Sequence, residues 1–225
     1  MLSIIVPCLN EAEGIGQALA ALAPLRARGA EIIVVDGGSS DGTVERAAPL
    51  ADRVIDAPRG RASQMNAGAA RARGEIMLFL HADTLLPESA DALIVDGLKR
   101  SRRGWGRFDV VISGGSPLLR VVAQLMNVRS RLTGIATGDQ AIFVTRSLFT
   151  AAGGYPEIAL MEDIALSKRL KRFGQPLCLR HRLVASGRRW EKHGVVRTIL
   201  LMWRLRLAFW LGADPGKLAV RYDRG

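Results

Sequence analysis

Three apolar runs in the first hundred residues each end abruptly in polar and acidic residues. The runs and the polar residues that follow them are residues 4–6 with Asn10 and Glu11, residues 32–35 with Asp36, and residues 76–80 with His81 and Asp83. In an open α/β sheet, ligands bind in the crevice at the carboxyl ends of the parallel strands. We therefore expect these acids to meet at one edge of a sheet, and the pattern predicts a site for a nucleotide or a sugar nucleotide.

Helical patterns lie between the apolar runs. The predicted strands are residues 2–7, 31–35, 52–56, 75–80, 107–112, 141–145 and 177–180. The predicted helices are residues 12–28, a helix from Asp41 to about residue 50, residues 63–73, a helix with Pro87 in its first turn, and residues 118–132. Alternation of strands and helices predicts parallel pairing with right-handed crossovers. The fold class is therefore α/β, with a mainly parallel twisted sheet flanked by helices.

The alternation breaks near residue 100, where segments rich in arginine, glycine and serine begin. A chain of 225 residues is long enough for one domain with a full core. We predict a single domain over residues 1–190. Its Rossmann-like nucleotide-binding half covers residues 1–100, its acceptor half covers residues 101–190, and residues 191–225 form a C-terminal helical tail.

The segment from residue 193 to residue 212 is apolar but is interrupted by Arg197, Arg204 and Arg206. It falls short of the roughly 20 uninterrupted apolar residues that a membrane span needs. Two alternatives remain for this segment. It is either a helix packed on the domain or a helix that lies in a membrane interface through aromatic and arginine anchors.

The composition limits the classes of partner. The net charge is +11 and most basic residues are arginine, which suits phosphate binding but is equally well explained by a biased genome composition. Aromatic residues are only 5% of the chain and no zinc-finger or RNA-recognition motif is present, so nucleic-acid binding is disfavoured. Cys8 and Cys178 have no metal-ligand spacing. No signal peptide precedes the first strand, so we expect the cytosol or the cytosolic face of a membrane.

Two loops after the first two predicted strands offer groups that can hold a nucleoside. The candidate residues are Pro7, Asn10, Glu11, Asp36, Gly37 and Asp41. Asp36 can accept a hydrogen bond from a nucleobase, and the glycines let the backbone approach a ligand closely. The spacing matches neither the dinucleotide-binding fingerprint nor the phosphate loop of ATPases. A turn followed by a helix N-cap would explain the same residues without a ligand.

Two further loops offer groups for phosphate and for a metal ion. Arg61 and Asn66, near the start of a predicted helix, can meet a phosphate and a base, although a loop that only happens to carry arginine would look the same. Asp83, which follows His81 by two residues, suits Mg²⁺ or Mn²⁺, because such ions take one or two protein carboxylates and complete their shell with phosphate oxygens.

Glu162 and Asp163 begin a predicted helix. Acidic residues in a first helical turn are favoured by the helix dipole, which is a sufficient structural reason for them. The functional alternative is a general base that deprotonates the hydroxyl group of an acceptor. The sequence leaves both interpretations open.

Taken together, these motifs resemble glycosyltransferase family two, the inverting transferases with the GT-A fold, over residues 2 to about 190. The similarity is greatest to the short bacterial group associated with radical-SAM and selenodomain proteins. The motifs that carry this likeness are Leu-Phe-Leu-His-Ala-Asp-Thr at residues 78–84, Gly-Gly-Tyr-Pro-Glu-Ile-Ala-Leu-Met-Glu-Asp at residues 153–163, and Ser-Gly-Arg-Arg-Trp at residues 186–190.

The resemblance implies roles for individual residues. The residues implied to hold the nucleoside are Pro7, Asn10, Glu11, Asp36 and Asp41. Asp83 is implied to bind the metal ion and Asp163 to be the catalytic base. The residues implied to line the diphosphate and acceptor sites are Arg188, Arg189 and Trp190. His81 replaces the first aspartate of the usual DxD motif, and Ser186 replaces the glutamine of the last motif, which argues against a processive polymer synthase.

The predicted function is the metal-dependent transfer of a sugar, with inversion, from a UDP- or GDP-linked donor to an unidentified acceptor. One alternative is a sugar-phosphate nucleotidyltransferase, which normally has a glycine-rich basic loop where this chain has Leu9, Asn10 and Glu11. Another alternative is a nucleotide-sugar-binding protein without catalytic activity, for which His81 is the hint. We expect Asp36, Asp83 and Asp163 to converge on one cleft.

Overall fold

The computed structural model describes the backbone of residues 1–224 and the side chains through Tyr222. The strands are β1 (Leu2–Cys8), β2 (Glu31–Asp36), β3 (Arg53–Asp56), β4 (Ile76–Phe79), β5 (Thr84–Leu85), β6 (Trp105–Ile112), β7 (Phe143–Thr145) and β8 (Leu177–Ala185). The α-helices are α1 (Ile15–Ala20), α2 (Ala23–Ala27), α3 (Thr43–Ala47), α4 (Arg61–Arg71), α5 (Ala90–Ser101), α6 (Pro117–Thr133), α7 (Arg146–Ala151), α8 (Glu162–Leu170), α9 (Arg188–His193), α10 (Val195–Trp210) and α11 (Pro215–Arg224).

The strands form one mixed sheet in the order β3-β2-β1-β4-β7-β6-β8-β5. The first four strands of this order are parallel, as predicted from the alternation of strands and helices. β7 then runs antiparallel to both β4 and β6, while β6 and β8 are parallel to each other. The predicted α/β class is confirmed, and the second half of the sheet is mixed because the chain no longer alternates there.

β1 and β2 are buried on both faces, as expected for parallel strands covered by helices. Alternate residues of these strands belong to two hydrophobic cores, one on each face of the sheet. Ile4 lies in the first core and Ile5 in the second. α4 packs closely on the second face, because a Cβ atom on Gly68 would lie 2.4 Å from Cγ2 of Ile5. From β1 the chain continues to β2 on one side of β1, and after β3 it returns through α4 to β4 on the other side of β1. A crevice therefore opens where the strand order reverses, at the carboxyl ends of β1 and β4.

Several boundaries differ from the predicted ones. The predicted helix over residues 12–28 is divided into α1 and α2, because Pro24 lies in the first turn of α2 and has no N–H to continue a longer helix. β8 continues to Ala185, five residues beyond the predicted end at residue 180. The short strand β5 was not predicted, and it pairs with the end of β8.

The C-terminal segment packs on the domain through one face. Leu205 of α10 and Leu218 of α11 are buried against Met161 and Ile164 at the start of α8. The other face of α10 is exposed, with Trp203 62% and Trp210 72% accessible. Within residues 1–224, no helix has the length and apolar character needed to cross a membrane.

Candidate functional site

A cavity of about 820 Å³ lies at the carboxyl ends of β1 and β4. Its floor is formed by the residues that follow these two strands and by the first turn of α4. Its walls come from α6, the start of α8 and the end of β8, and α10 and α11 close it from the C-terminal side. The predicted site residues that line it are Pro7, Glu11, Arg61, His81, Asp83, Glu162, Arg189 and Trp190.

Asp36 lies beside the cavity rather than in its wall. Its carboxylate accepts hydrogen bonds from the backbone N–H groups of Gly38 and Ser39, at 2.9 and 2.8 Å, and from the Ser39 hydroxyl at 2.5 Å. Burial alone would raise the pKa of Asp36, but these hydrogen bonds outweigh it and the pKa is lowered. Asp36 therefore holds the shape of its own turn, with Gly37 between the strand and that turn.

Asn10 and Asp41 connect the loop after β1 with the loop after β2. The Asn10 side chain accepts a hydrogen bond from the Ser40 N–H at 2.9 Å, and the backbone of Asn10 adopts a left-handed φ of 53°. Asp41 accepts hydrogen bonds from the Ala12 N–H and from the Thr43 hydroxyl. These two residues brace the loops that carry Glu11 to the cavity, and neither lines it.

The two candidates on α4 are placed differently. Arg61 faces the cavity, where the carboxylates of Glu162, Asp139 and Asp163 are close enough to raise its pKa against the opposing effect of burial. Asn66 instead holds the backbone of Tyr155, donating to its carbonyl and accepting from its N–H, both at 2.9 Å. Arg61 is therefore available to a ligand, whereas the amide of Asn66 is occupied.

Asp83 stands at the mouth of the cavity with its side chain 37% exposed. Its nearest cation is Arg188, with Nη2 at 3.8 Å from Oδ2. No residue up to Tyr222 donates a hydrogen bond to its carboxylate at hydrogen-bonding distance. His81 turns the other way, with Nδ1 3.4 Å from Oδ1 of Asp139. Its Nε2 is buried without a partner in the described part of the chain, against Gly138, where a Cβ atom would lie 2.5 Å away.

The environment of Asp83 determines which kind of cation it suits. The described residues contain no group of three or more His, Cys, Asp or Glu side chains that could enclose a metal ion. Mg²⁺ and Mn²⁺ at nucleotide sites need fewer, because phosphate oxygens and water complete the shell. An accessible carboxylate with both oxygens free of hydrogen bonds fits that mode of binding. Asp83 thus fits a cation that arrives with a diphosphate.

Glu162 and Asp163 begin α8 beside the cavity. Glu162 lines it, is only 4% exposed, and has its pKa raised from 4.5 to about 7 by burial and by the charge of Asp163. Asp163 is not among the lining residues, and its carboxylate accepts hydrogen bonds from the Gly138 N–H at 2.8 Å and from the Ile164 N–H at 2.6 Å. Of the three acids expected to converge, Asp83 lines the cavity, Asp163 is adjacent to the lining residue Glu162, and Asp36 is held in the neighbouring turn.

α9 carries the last three candidates. The side chain of Arg188 reaches Oε2 of Glu11 at 3.3 Å, in addition to its longer contact with Asp83. Arg189 donates to the Tyr222 carbonyl, and its guanidinium carbon lies 3.6 Å from the centroid of the Tyr222 ring. Trp190 lines the cavity. Residues of α9 therefore contact the loop after β1, the Asp83 carboxylate and the C-terminal helix α11.

Four charged residues of the cavity wall were not among the predicted site residues. They are Arg59, Asp139, Arg129 on α6 and Arg206 on α10. Burial and the contact with His81 act in opposite directions on Asp139, and its pKa is lowered. Burial and the nearby charge of Arg206 lower the pKa of Arg129 to about 10. For Arg129 and Arg206, the only signal in the sequence is an arginine within an otherwise apolar helical pattern.

A family model described as Glycosyl transferase family 2 matches residues 3–140, which is more than half of the 225-residue chain. Over 252 aligned residues, the chain is 29% identical to a PGL/p-HBAD biosynthesis glycosyltransferase of Mycobacterium bovis. That alignment covers 92% of this chain and 98% of the relative. Over 106 residues, it is 27% identical to the poly-beta-1,6-N-acetyl-D-glucosamine synthase of Staphylococcus epidermidis, of which the alignment covers only 26%.

Among solved structures, the chain is similar to the mannosyltransferase PcManGT from Pyrobaculum calidifontis, determined in complex with GDP-Man and Mn²⁺. The two are 26% identical with a TM-score of 0.65, over 92% of this chain and 60% of that one. This likeness confirms the predicted GT-A architecture for the sheet and its flanking helices. The chain thus spans about 60% of the length of that protein.

Proposed function

This chain belongs to glycosyltransferase family 2, and we propose that it transfers a sugar from a nucleoside-diphosphate sugar to an acceptor with inversion at the anomeric carbon. The observation that carries the proposal is one cavity lined by both Asp83 and Glu162, with Asp163 next to Glu162 in the chain. We infer that Asp83 serves the metal–diphosphate complex and that the Glu162–Asp163 pair serves the proton transfer. An inverting transfer needs both.

For the donor, we propose a UDP- or GDP-linked sugar whose nucleoside lies over the loops after β1 and β2. The residues proposed to hold or position it are Pro7, Asn10, Glu11, Asp36, Gly37, Asp41, Arg61, Asn66 and His81. The GDP-Man and Mn²⁺ held by the similar PcManGT support a nucleotide-sugar donor and a divalent ion. Asp83 is proposed to bind that ion, Mn²⁺ or Mg²⁺. When bound, the ion neutralises the charge that develops on the departing diphosphate.

For the chemical step, an oxygen of the acceptor attacks the anomeric carbon and forms the new glycosidic bond. The bond from that carbon to the diphosphate oxygen breaks, and the diphosphate leaves with the electron pair. The proton of the acceptor hydroxyl passes to a carboxylate, for which we propose Asp163. Burial and the charge of Asp163 raise the pKa of Glu162 to about 7, so Glu162 is still partly protonated near neutral pH, and we assign the base to Asp163 rather than to Glu162. Arg188, Arg189 and Trp190 are proposed to contact the diphosphate or the acceptor.

Two finer assignments accompany this function. The motifs around Asp83, Asp163 and Trp190 support membership of the short bacterial radical-SAM and selenodomain-associated group. The exposed apolar face of α10, together with the exposed Arg197 near the start of the same helix, supports peripheral contact with the cytosolic face of a membrane. Sedimentation with vesicles of anionic lipid tests this contact, and failure to sediment with them rejects it.

The donor is tested by thermal denaturation with UDP and with GDP, each with and without Mn²⁺. A ligand that binds only the native state raises the melting temperature. We expect one nucleotide to stabilise the protein in the presence of Mn²⁺ and Asp83→Ala to lose the Mn²⁺-dependent part. Asp56→Asn, at the exposed end of β3, is the matched control. Unchanged Mn²⁺ dependence in Asp83→Ala would reject the metal assignment.

The catalytic role is tested by hydrolysis of UDP- and GDP-linked sugars, in which water replaces the unidentified acceptor. Asp163→Asn should keep nucleotide stabilisation and lose hydrolysis by at least about a hundredfold, the usual contribution of a general base. Glu162→Gln keeps the shape of the side chain next to Asp163. This variant should retain a higher rate of hydrolysis than Asp163→Asn. Full hydrolysis by Asp163→Asn rejects Asp163 as the base, and no stabilisation of the wild type by either nucleotide rejects the donor class.

A further inference from the structure

Some guanidinium donor atoms of Arg129 and Arg206 are buried without partners, although both side chains are partly exposed. Nε and Nη2 of Arg129 and Nε of Arg206 are shielded from solvent and form no hydrogen bond in the described part of the chain. No carboxylate of residues 1–222 lies within 4 Å of either guanidinium group, although eight arginine–carboxylate pairs within that distance occur elsewhere in these residues. Burying charged donors without partners is costly, so these residues are poised for a group that the protein itself does not supply.

The two arginines lie together on the side of the cavity near Asp163, the proposed catalytic base. They come from different helices, α6 and α10, and both line the cavity. The positive charge of Arg206 is close enough to disfavour the charged form of Arg129. The carboxylates whose charges favour the charged form of both arginines are Asp163 and Asp139. Two adjacent cations near the proposed base fit an anion on the acceptor.

The wall around the two arginines is apolar. Besides the two arginines and Thr198, the residues of α6 and α10 that line the cavity are Val122, Leu125, Met126, Ile199, Met202 and Trp203. This wall continues to the outside of the molecule, because Leu125 is 55% and Trp203 62% exposed. An apolar wall around a pair of cations suits a ligand with a charged head and an apolar body.

We propose that Arg129 and Arg206 form a subsite for the phosphate-type headgroup of an amphiphilic acceptor, whose apolar part lies between α6 and α10. The inference rests on the proposed function, because it specifies the acceptor of that transfer. Two guanidinium groups match the charge of a phosphate monoester and can donate to its oxygens in pairs. A phosphorylated lipid in a membrane and a free amphiphilic phosphate share this chemistry.

Calorimetry with dodecyl phosphate, below its micelle concentration, tests the subsite. The wild type should bind it, and Arg129→Gln or Arg206→Gln should each weaken binding at least tenfold. The matched controls are Arg120→Gln on α6 and Arg204→Gln on α10, both exposed, which should change the affinity less than twofold. Inorganic phosphate lacks the apolar chain and dodecyl maltoside lacks the phosphate. Each should therefore bind at least tenfold more weakly than dodecyl phosphate.

Equal weakening by Arg204→Gln and Arg206→Gln would overturn the inference, because it would indicate attraction by the general surface charge. Inorganic phosphate that binds as tightly as dodecyl phosphate would also overturn it. UDP and GDP stabilisation, measured on the same variants, shows that they are folded. If the wild type binds and hydrolyses a donor but does not bind dodecyl phosphate, the subsite fails alone. If it binds dodecyl phosphate but no nucleotide, the proposed function fails instead.

Vesicles distinguish the two sources of the phosphate. The protein is sedimented with phosphatidylcholine vesicles that contain or lack phosphatidic acid. Binding that requires phosphatidic acid and is lost in the Arg129→Gln, Arg206→Gln double variant supports a membrane lipid. Vesicle binding that the double variant retains, together with its loss of dodecyl phosphate binding, supports a free amphiphile.

Discussion

Glu162→Gln should change how the stability of this protein depends on pH between about 4.5 and 7. The pKa of Glu162 is raised from 4.5 to about 7 in the folded state by burial and by the charge of Asp163. In this window the folded protein keeps the proton and the unfolded chain releases it. The stabilisation is therefore complete below pH 4.5 and is lost as the pH rises through 7.

The size of the effect follows from that rise. At about 1.4 kcal/mol for each pH unit, a rise from 4.5 to about 7 corresponds to roughly 3 kcal/mol of unfolding free energy. The carboxylates with lowered pKa, such as Asp36 and Asp52, act in the opposite sense but at lower pH. The interval between pH 5 and 8 therefore avoids these carboxylates, and the comparison with Glu162→Gln removes the contribution of the other groups that titrate there.

Urea denaturation at pH 5, 6, 7 and 8 measures the effect. We expect Glu162→Gln to match the wild type near pH 5 and to exceed it by about 2–3 kcal/mol at pH 8, because glutamine cannot acquire the buried charge. Glu13→Gln, on an exposed residue, should follow the wild type at every pH. Wild-type and Glu162→Gln curves that run parallel from pH 5 to pH 8 would refute the reasoning.

Three further measurements test other parts of the structure. Arg129→Met should raise the unfolding free energy by about 1–3 kcal/mol in urea, because it removes buried donors that lack partners; equal or lower stability would contradict this. Gly68→Ala should destabilise the protein by about 1–3 kcal/mol, because the new methyl group would lie 2.4 Å from Cγ2 of Ile5, and an unchanged melting temperature would argue against the close packing of α4. Alkylation at pH 8, followed by mass spectrometry, should modify Cys178 well before Cys8, because burial raises the pKa of the Cys8 thiol to about 12; equal rates would show that Cys8 is accessible.

The first half of the fold follows from local sequence patterns. The apolar runs that end at Asp36 and before His81 predict β2 and β4, because a buried strand followed by polar residues is a signal contained in a few neighbouring residues. The antiparallel strand β7 was predicted as a strand but not in its orientation. Its direction depends on pairing with β4 and β6, which lie far from it in sequence.

The candidate site also contains residues that local motifs predict and residues that only the fold brings together. Short motifs predict Asp83 and Glu162 as site residues, and the structure places both in one cavity. Arg129 and Arg206 are 77 residues apart in an otherwise apolar context, and only the packing of α10 against the domain brings them together. Asn66 shows the opposite case, because its amide is a plausible ligand group in sequence but holds the backbone of Tyr155 in the fold.

α10 and α11, which close the cavity, are also the last part of the described chain to leave the ribosome. β1, β2, β4 and the loop with Asp83 are synthesised about a hundred residues earlier, and β7 and β8, which pair with β4 and β5, follow in between. The loops on one side of the cavity therefore exist in the nascent chain before the helices that close it. A change confined to α10 and α11 would alter that closing wall and leave the loops after β1 and β2 unchanged.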